Sequence, residues 1–149
     1  MIQDVILKPL VAHNDDRGFF MEILRETDPF FTRFGQSSFS IMYPGAVKAW
    51  HHHRQQDDIW FFVSGMAQVG LYDLREGSPT FEETNTVYLG EHNRQVLFIP
   101  HGVAHGYRPI GTTPAALVYF TTHTYDPNDE LRLDWNDTRI GFDWTTKNK

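Results

Sequence analysis

The sequence predicts an all-β domain, a sandwich or small barrel, and three observations carry that expectation. Its apolar segments are short, rich in β-branched and aromatic residues, and interrupted by turn signals about every ten residues. Aromatics make up 15% of the chain, with 12 Phe, 6 Tyr and 4 Trp, and such residues favour strands. The 149 residues, 40% of them hydrophobic, suffice for one core and are too few for two ordinary ones, so residues 1–149 are expected to form a single domain.

Taken in order, "DVILKPLVA" opens as a strand and "HNDDRG" reads as a turn cluster. "FFMEIL" is a further short strand, and "DPFFTRFG" fits either a short helix or an irregular hairpin. "SSFSIMY" is a strand closed by Pro44 and Gly45, and "VKAWHHH" is the next, with "RQQD" as its turn. "IWFFVSG" and "MAQVGLYDLR" read as a hairpin about Gly65. After the turn "EGSPTFE" come the strands "TNTVYLGE", "QVLFIP", "HGYRPI" and "ALVYFTTHTY". The tail "DPNDELRLDWNDTRIGFDW" is turn-rich. Its apolar anchors Trp135, Ile140, Phe142 and Trp144 are expected to lay it across the barrel rather than extend the sheets.

Composition excludes several classes of function. There are no cysteines, which removes disulfides, thiolate zinc sites and thiol nucleophiles and fits a cytoplasmic protein. A net charge of -6 repels nucleic acid and anionic membranes, so neither is an expected partner. No apolar run reaches membrane-spanning length, and the N-terminus has no signal-peptide pattern.

The chemistry gathers around "HHHRQQDD". In an extended chain, His51 and His53 share one face and His52 takes the other, while Asp58 opens the next strand and is expected to face the two histidines. Downstream, "PHGVAH" sets His105 just after a Pro-Gly turn. Three imidazoles and a carboxylate could bind a first-row divalent metal such as Mn, Fe, Ni or Zn. Alternatively, one imidazole could serve as a general base in a metal-free pocket. His52 and His92 read as polar strand-edge residues. The spacing Gly45-x5-His51-x-His53-x4-Asp58-x6-Gly65, followed by Pro100-x-Gly102-x-x-His105, resembles the two signature motifs of the cupin superfamily. That resemblance implies a double-stranded β-helix, or jelly roll, with Asp58 where a glutamate is usual.

A narrower resemblance runs collinearly from about Asp16 to Trp144. "DDRGFFME" resembles the D-x-R-G-x-F-x-E motif of the dTDP-4-dehydrorhamnose 3,5-epimerase family, and "FGQSSFS" its F-x-Q-x-N-x-S stretch. "YDLREGSPTF", "IPHGVAHGY" and "VYFTTHTYDPNDELRLDWND" are similar to its V-D-L-R-x-G-S-P-T-F, I-P-x-G-F-A-H-G-F and Y-x-T-T-x-x-Y-x-P-x-x-E-x-x-I-x-W-N-D blocks. The resemblance implies a metal-independent isomerase that epimerises a keto-deoxysugar on a nucleoside diphosphate, with a homodimer as its assembly. It implies His51 as the base, Tyr119 as the acid and His105 as a histidine of the same pocket. It implies Arg17, Phe20, Glu22, Gln36, Lys48 and Gln56 as substrate-binding residues, with Arg17 on the diphosphate and available to a neighbouring subunit's pocket.

Departures from the family pattern are equally specific. Asp58 stands where the family has its enolate-stabilising lysine, and an ionised carboxylate there opposes a developing oxyanion. His51 or His105 as imidazolium, or Lys48, is then expected to compensate. Lys48 replaces an arginine, which loses a bidentate fork. The family's aspartate that orients the base histidine has no counterpart before Lys149, and Asp58 is the expected substitute on the far nitrogen of His51. A metal site of His51, His53, Asp58 and His105 is the alternative reading of the pocket, and a non-catalytic sugar-nucleotide binding module is a third.

Overall fold

The protein is described here from a computed structural model covering residues 1–147. Twelve strands follow in order: β1 (Ile6–Pro9), β2 (His13–Asp15), β3 (Gly18–Phe20), β4 (Gln36–Met42), β5 (Lys48–His52), β6 (Asp58–Ser64), β7 (Met66–Asp73), β8 (Thr84–Gly90), β9 (Gln95–Ile99), β10 (Val103–Ile110), β11 (Ala115–Thr121) and β12 (Leu131–Arg132). No helix occurs among the described residues. Two five-stranded sheets, ordered β1-β9-β6-β11-β4 and β12-β5-β10-β7-β8, face each other, and β2-β3 forms a separate hairpin. Every pairing is antiparallel. This is the expected all-β, cupin-type jelly roll.

Three apolar clusters explain the sequence pattern. Between the sheets lie Trp60, Phe62, Val69, Leu71, Leu89, Leu97, Ile99, Tyr107 and Leu117. The outer face of the first sheet presents Ile59, Phe61, Val96 and Phe98, covered by Phe30 and by Ile23, Leu24 and Phe31 of the segment before β4. The unbroken run "IWFF" follows directly: alternate residues enter the inner core and the outer cluster, so β6 is buried on both faces. On the outer face of the second sheet, Trp50, Tyr72 and Ala104 are covered by Ile140 and Trp144 of the tail. Gly70 makes room for that cover, since a Cβ there would come within 2.7 Å of the Trp50 ring and 2.9 Å of Phe142 and Trp144.

Several sequence expectations are corrected. β6 and β7 do not pair as a hairpin: β6 lies between β9 and β11, while β7 lies between β8 and β10. Gly65, at φ 70°, is the point at which the chain crosses between sheets, and a Cβ there would strike the Pro114 carbonyl oxygen at 2.3 Å. The segment after Gly18 forms a strand only to Phe20, and residues 29–35 are irregular. The tail does more than lie across the barrel, because β12 pairs with β5 at the sheet edge (Leu131 opposite His52, Arg132 opposite His51). Trp135 is 55% exposed and anchors nothing through its ring, although its carbonyl accepts the Trp144 indole N–H.

The family block around "DLREGSPT" is structural. Burial alone would raise the Asp73 carboxyl, but hydrogen bonds from Arg75, Ser78 and Thr80 override it and hold Asp73 well below the usual carboxylate range. Arg75 then reaches the Gln3 carbonyl at 2.6 Å and Asp4 at 3.2 Å, tying the N-terminal residues to the second sheet.

Candidate active site

The cavity between the sheets opens where β5 and β10 meet β6 and β11. Lining it are Gln36 and Ser40 from β4, Lys48 and His51 from β5, Asp58 and Trp60 from β6, His105 and Tyr107 from β10, and Tyr119 from β11. His53 and Gln56 from the β5–β6 turn and Tyr125, Asp126 and Glu130 from the tail complete the wall. Strand register brings the sequence-distant groups together. His105 lies opposite His51 across β10–β5, and Tyr119 lies opposite Trp60 across β11–β6.

His51 sits at the mouth of the cavity, partly buried. Its Nδ1 donates a hydrogen bond to the Glu130 carboxylate. Burial lowers the pKa of His51, and the positive charges of Lys48 and Arg132 push the same way; the Glu130 contact opposes them without cancelling them. The ring is therefore neutral at pH 7. Because Nδ1 carries the hydrogen facing Glu130, the lone pair is on Nε2. This is the protonation state that a general base requires.

The floor is different. His53 Nδ1 donates to the Asp129 carbonyl at 2.8 Å, and His105 Nδ1 donates to the Val103 carbonyl at 3.0 Å. Backbone carbonyls only accept, so both rings carry a hydrogen on Nδ1 and turn Nε2 toward Asp58. The separations are 3.7 Å from His53 Nε2 and 3.6 Å from His105 Nε2. Asp58 accepts from Gln56 Nε2 at 2.8 Å and from the Trp60 indole at 3.0 Å. Burial raises the Asp58 carboxyl, and His53, Gln56 and Trp60 only partly oppose that shift. Burial pushes His105 down to about 3, so it is a neutral imidazole.

These contacts correct three expectations. Asp58 does not orient His51; it faces His53 and His105, and the carboxylate on His51 is Glu130. His105 does not act as an imidazolium, because a proton there is too costly at 4% exposure. The four-residue metal site does not assemble: the group with mutually close ligand atoms is His53, Asp58 and His105, all within 4.8 Å of one another, without His51. The Gln56 amide nitrogen, 3.3 Å from His53 Nε2 and 2.8 Å from Asp58, aims donors at two of those three members. That arrangement suits hydrogen bonding and not a cation, which needs those lone pairs for itself. The same contacts occupy Gln56 within the floor.

The remaining candidates divide. Gln36 lines the cavity, and its Oε1 accepts the Tyr125 backbone N–H at 2.7 Å. Lys48 stands exposed beside His51. Arg17, Phe20 and Glu22 do not reach this chain's cavity: the Arg17 side chain is 85% exposed and pairs with Asp15, Phe20 is 65% exposed, and Glu22 pairs with Arg25. Sequence reasoning missed Glu130. The signal was present, since Glu130 occupies the glutamate of the matched tail motif, but its partner lies 79 residues away.

Fold and site together define a cupin-type jelly roll whose pocket is equipped for acid–base chemistry. A family model described as dTDP-4-dehydrorhamnose 3,5-epimerase matches residues 1–149. The chain is 53% identical over 149 residues to the spore coat polysaccharide biosynthesis protein SpsL of Bacillus subtilis, covering 99% of each. Among solved structures, a dTDP sugar isomerase from Desulfovibrio desulfuricans G20 superposes with a TM-score of 0.90 at 31% identity, over 96% of this chain and 92% of that one. The Legionella pneumophila enzyme RmlC, solved in complex with dTDP-4-keto-L-rhamnose, superposes with a TM-score of 0.85 at 29% identity, covering 96% of this chain and 79% of its own. The chain belongs to the dTDP-4-dehydrorhamnose 3,5-epimerase family and is an enzyme of the sugar-nucleotide epimerase and isomerase class.

Proposed function

We propose that the protein inverts one or both carbons flanking the ketone of a dTDP-linked 4-keto-6-deoxyhexose, with His51 as base and Tyr119 as acid. The observation that carries this reading is the presence of a neutral imidazole and a phenol in one cavity, on β5 and β11 of opposite sheets. His51 Nε2 takes the proton next to the ketone, and the electron pair moves onto the carbonyl oxygen as an enolate. Tyr119 returns a proton to the opposite face of the same carbon. Lys48 supplies positive charge toward the oxyanion, the role that Asp58 and neutral His105 cannot fill. Gln36 and His105 border the space for the sugar nucleotide. All of these steps use side-chain acids and bases, and none calls for a metal.

The same reading assigns Arg17, Phe20 and Glu22 to the cavity of a second copy. Support comes from the apolar surface displayed by the β2-β3 hairpin and the unpaired edge strand β4, where Phe19, Phe20, Phe39 and Ile41 are exposed. We place the homodimer in the cytoplasm with its nucleotide-linked substrate. No helix among the described residues is long and apolar enough to cross a membrane.

Incubation with dTDP-4-keto-6-deoxyglucose in D2O tests the reading. Deuterium should enter at C3, C5 or both, with inverted product detected by NMR. Binding of dTDP without exchange at either carbon would replace the enzyme with a binding module.

A further inference from the structure

We infer that Glu130 is the positioning residue for His51, and that the tail strand β12 exists to deliver it. This rests on the reading of His51 as the base. β12 is only two residues long, and it pairs where it matters: Leu131 and Arg132 lie opposite His52 and His51. Backbone hydrogen bonds between Trp50 and Leu133, 3.0 and 3.1 Å in the two directions, extend that pairing. The residue immediately before β12 is therefore held beside the far nitrogen of the His51 ring.

The preceding residue locks the same corner. The Asp129 carboxylate accepts the backbone N–H groups of Arg54, Gln55 and Gln56 at 2.7, 3.2 and 3.2 Å, and its carbonyl accepts His53 Nδ1. One tail segment thus holds Nδ1 of two of the three cavity histidines, through the Glu130 carboxylate for His51 and through the Asp129 carbonyl for His53, with Glu130 Oε2 a further 3.9 Å from His53 Nδ1. The difference is chemical. A carbonyl accepts a ring N–H but carries no full charge. A ring that takes a proton from carbon becomes an imidazolium, and a carboxylate on its Nδ1–H stabilises that charge as it forms. Glu130 never touches the sugar in this scheme; it acts through His51.

The environment of His51 is otherwise unfavourable to an imidazolium. Lys48 on β5 and Arg132 on β12 are cationic, His53 and the neutral ring of His105 share the cavity with it, and Asp126 and Asp58 line other walls. Glu130 is the one carboxylate on the ring itself.

The test is a Glu130→Gln and Glu130→Ala pair in the full chain, with His51 followed by ¹⁵N-edited NMR across pH and turnover measured in parallel. Gln keeps an acceptor for Nδ1–H but no charge; Ala removes both. We expect kcat to fall about 10-fold for Gln and about 100-fold or more for Ala, with KM changed less than about 3-fold. In both variants the His51 titration and the acid limb of kcat should move to lower pH, because a contact that favours the charged ring is gone. An unmoved His51 titration, or a kcat loss that only follows loss of thermal stability, would overturn the assignment. If the wild type shows no exchange at all, the enzymatic reading fails, while the NMR titration still reports whether Glu130 governs His51.

Discussion

At the mouth of the cavity, His51 is held by a carboxylate and stands next to Lys48 and open solvent; at the floor, His105 is 4% exposed and held by a backbone carbonyl. Both rings are neutral at pH 7, for different reasons. Burial alone nearly forbids a charge on His105, whereas His51 is lowered by burial and returned part of the way by Glu130. A base needs the second environment, since it must accept a proton reversibly. The floor, with Asp58 between two imidazoles and donors from Gln56 and Trp60, is a hydrogen-bonded scaffold. Changes at the mouth should therefore alter rate with little effect on stability, and changes at the floor should do the reverse.

The largest effect is expected from His51→Asn, which should lower deuterium exchange into the keto-sugar by about 10²–10⁴-fold while the melting temperature stays within a few degrees. Tyr119→Phe separates the two half-reactions. Proton removal by His51 continues, so exchange should persist, but net inversion should fall about 100-fold. The ratio of deuterated substrate to inverted product measures this directly.

At the floor, Asp58→Ala leaves the Trp60 indole N–H and one Gln56 amide N–H without their acceptor. Each orphaned group costs about 1–3 kcal/mol, so denaturant unfolding should register a loss of that order, and Asp58→Asn, which keeps one acceptor, a smaller one.

The smallest effect is a slope. His105 has a folded pKa of about 3 against an ordinary value of 6.5, so the unfolded chain takes up the proton first. Its contribution to stability is complete above pH 6.5 and is lost as pH falls toward 3. Asp58, with a raised carboxyl, runs the other way: its contribution is complete below 3.8 and is lost as pH rises through its folded pKa. Denaturation midpoints of His105→Phe between pH 6.5 and 4 should fall less steeply with acid than those of the wild type.

The sequence revealed the jelly roll because alternation, turn residues and two spaced histidine motifs all act locally. It placed His51, His105 and Tyr119 in one cavity through motif order. It misjudged Gly65, because a turn glycine looks the same whether the chain returns along one sheet or crosses to the other. It assigned Asp58 to His51, whereas β6, in the opposite sheet from β5 and β10, brings Asp58 to 3.7 Å from His53 and 3.6 Å from His105. Glu130 escaped because its placement depends on a two-residue strand finding its edge, a tertiary event with no periodicity to betray it.

The most direct measurement is a crystal structure of the His51→Asn variant with a dTDP-4-keto-6-deoxyhexose bound. The expected result is a sugar ring lying between residue 51 and Tyr119, with a carbon flanking the ketone about 3–3.5 Å from each and on opposite faces. A ring with both side chains on one face, or a sugar seated outside the cavity with only the nucleotide engaged, would contradict proton transfer between these two groups.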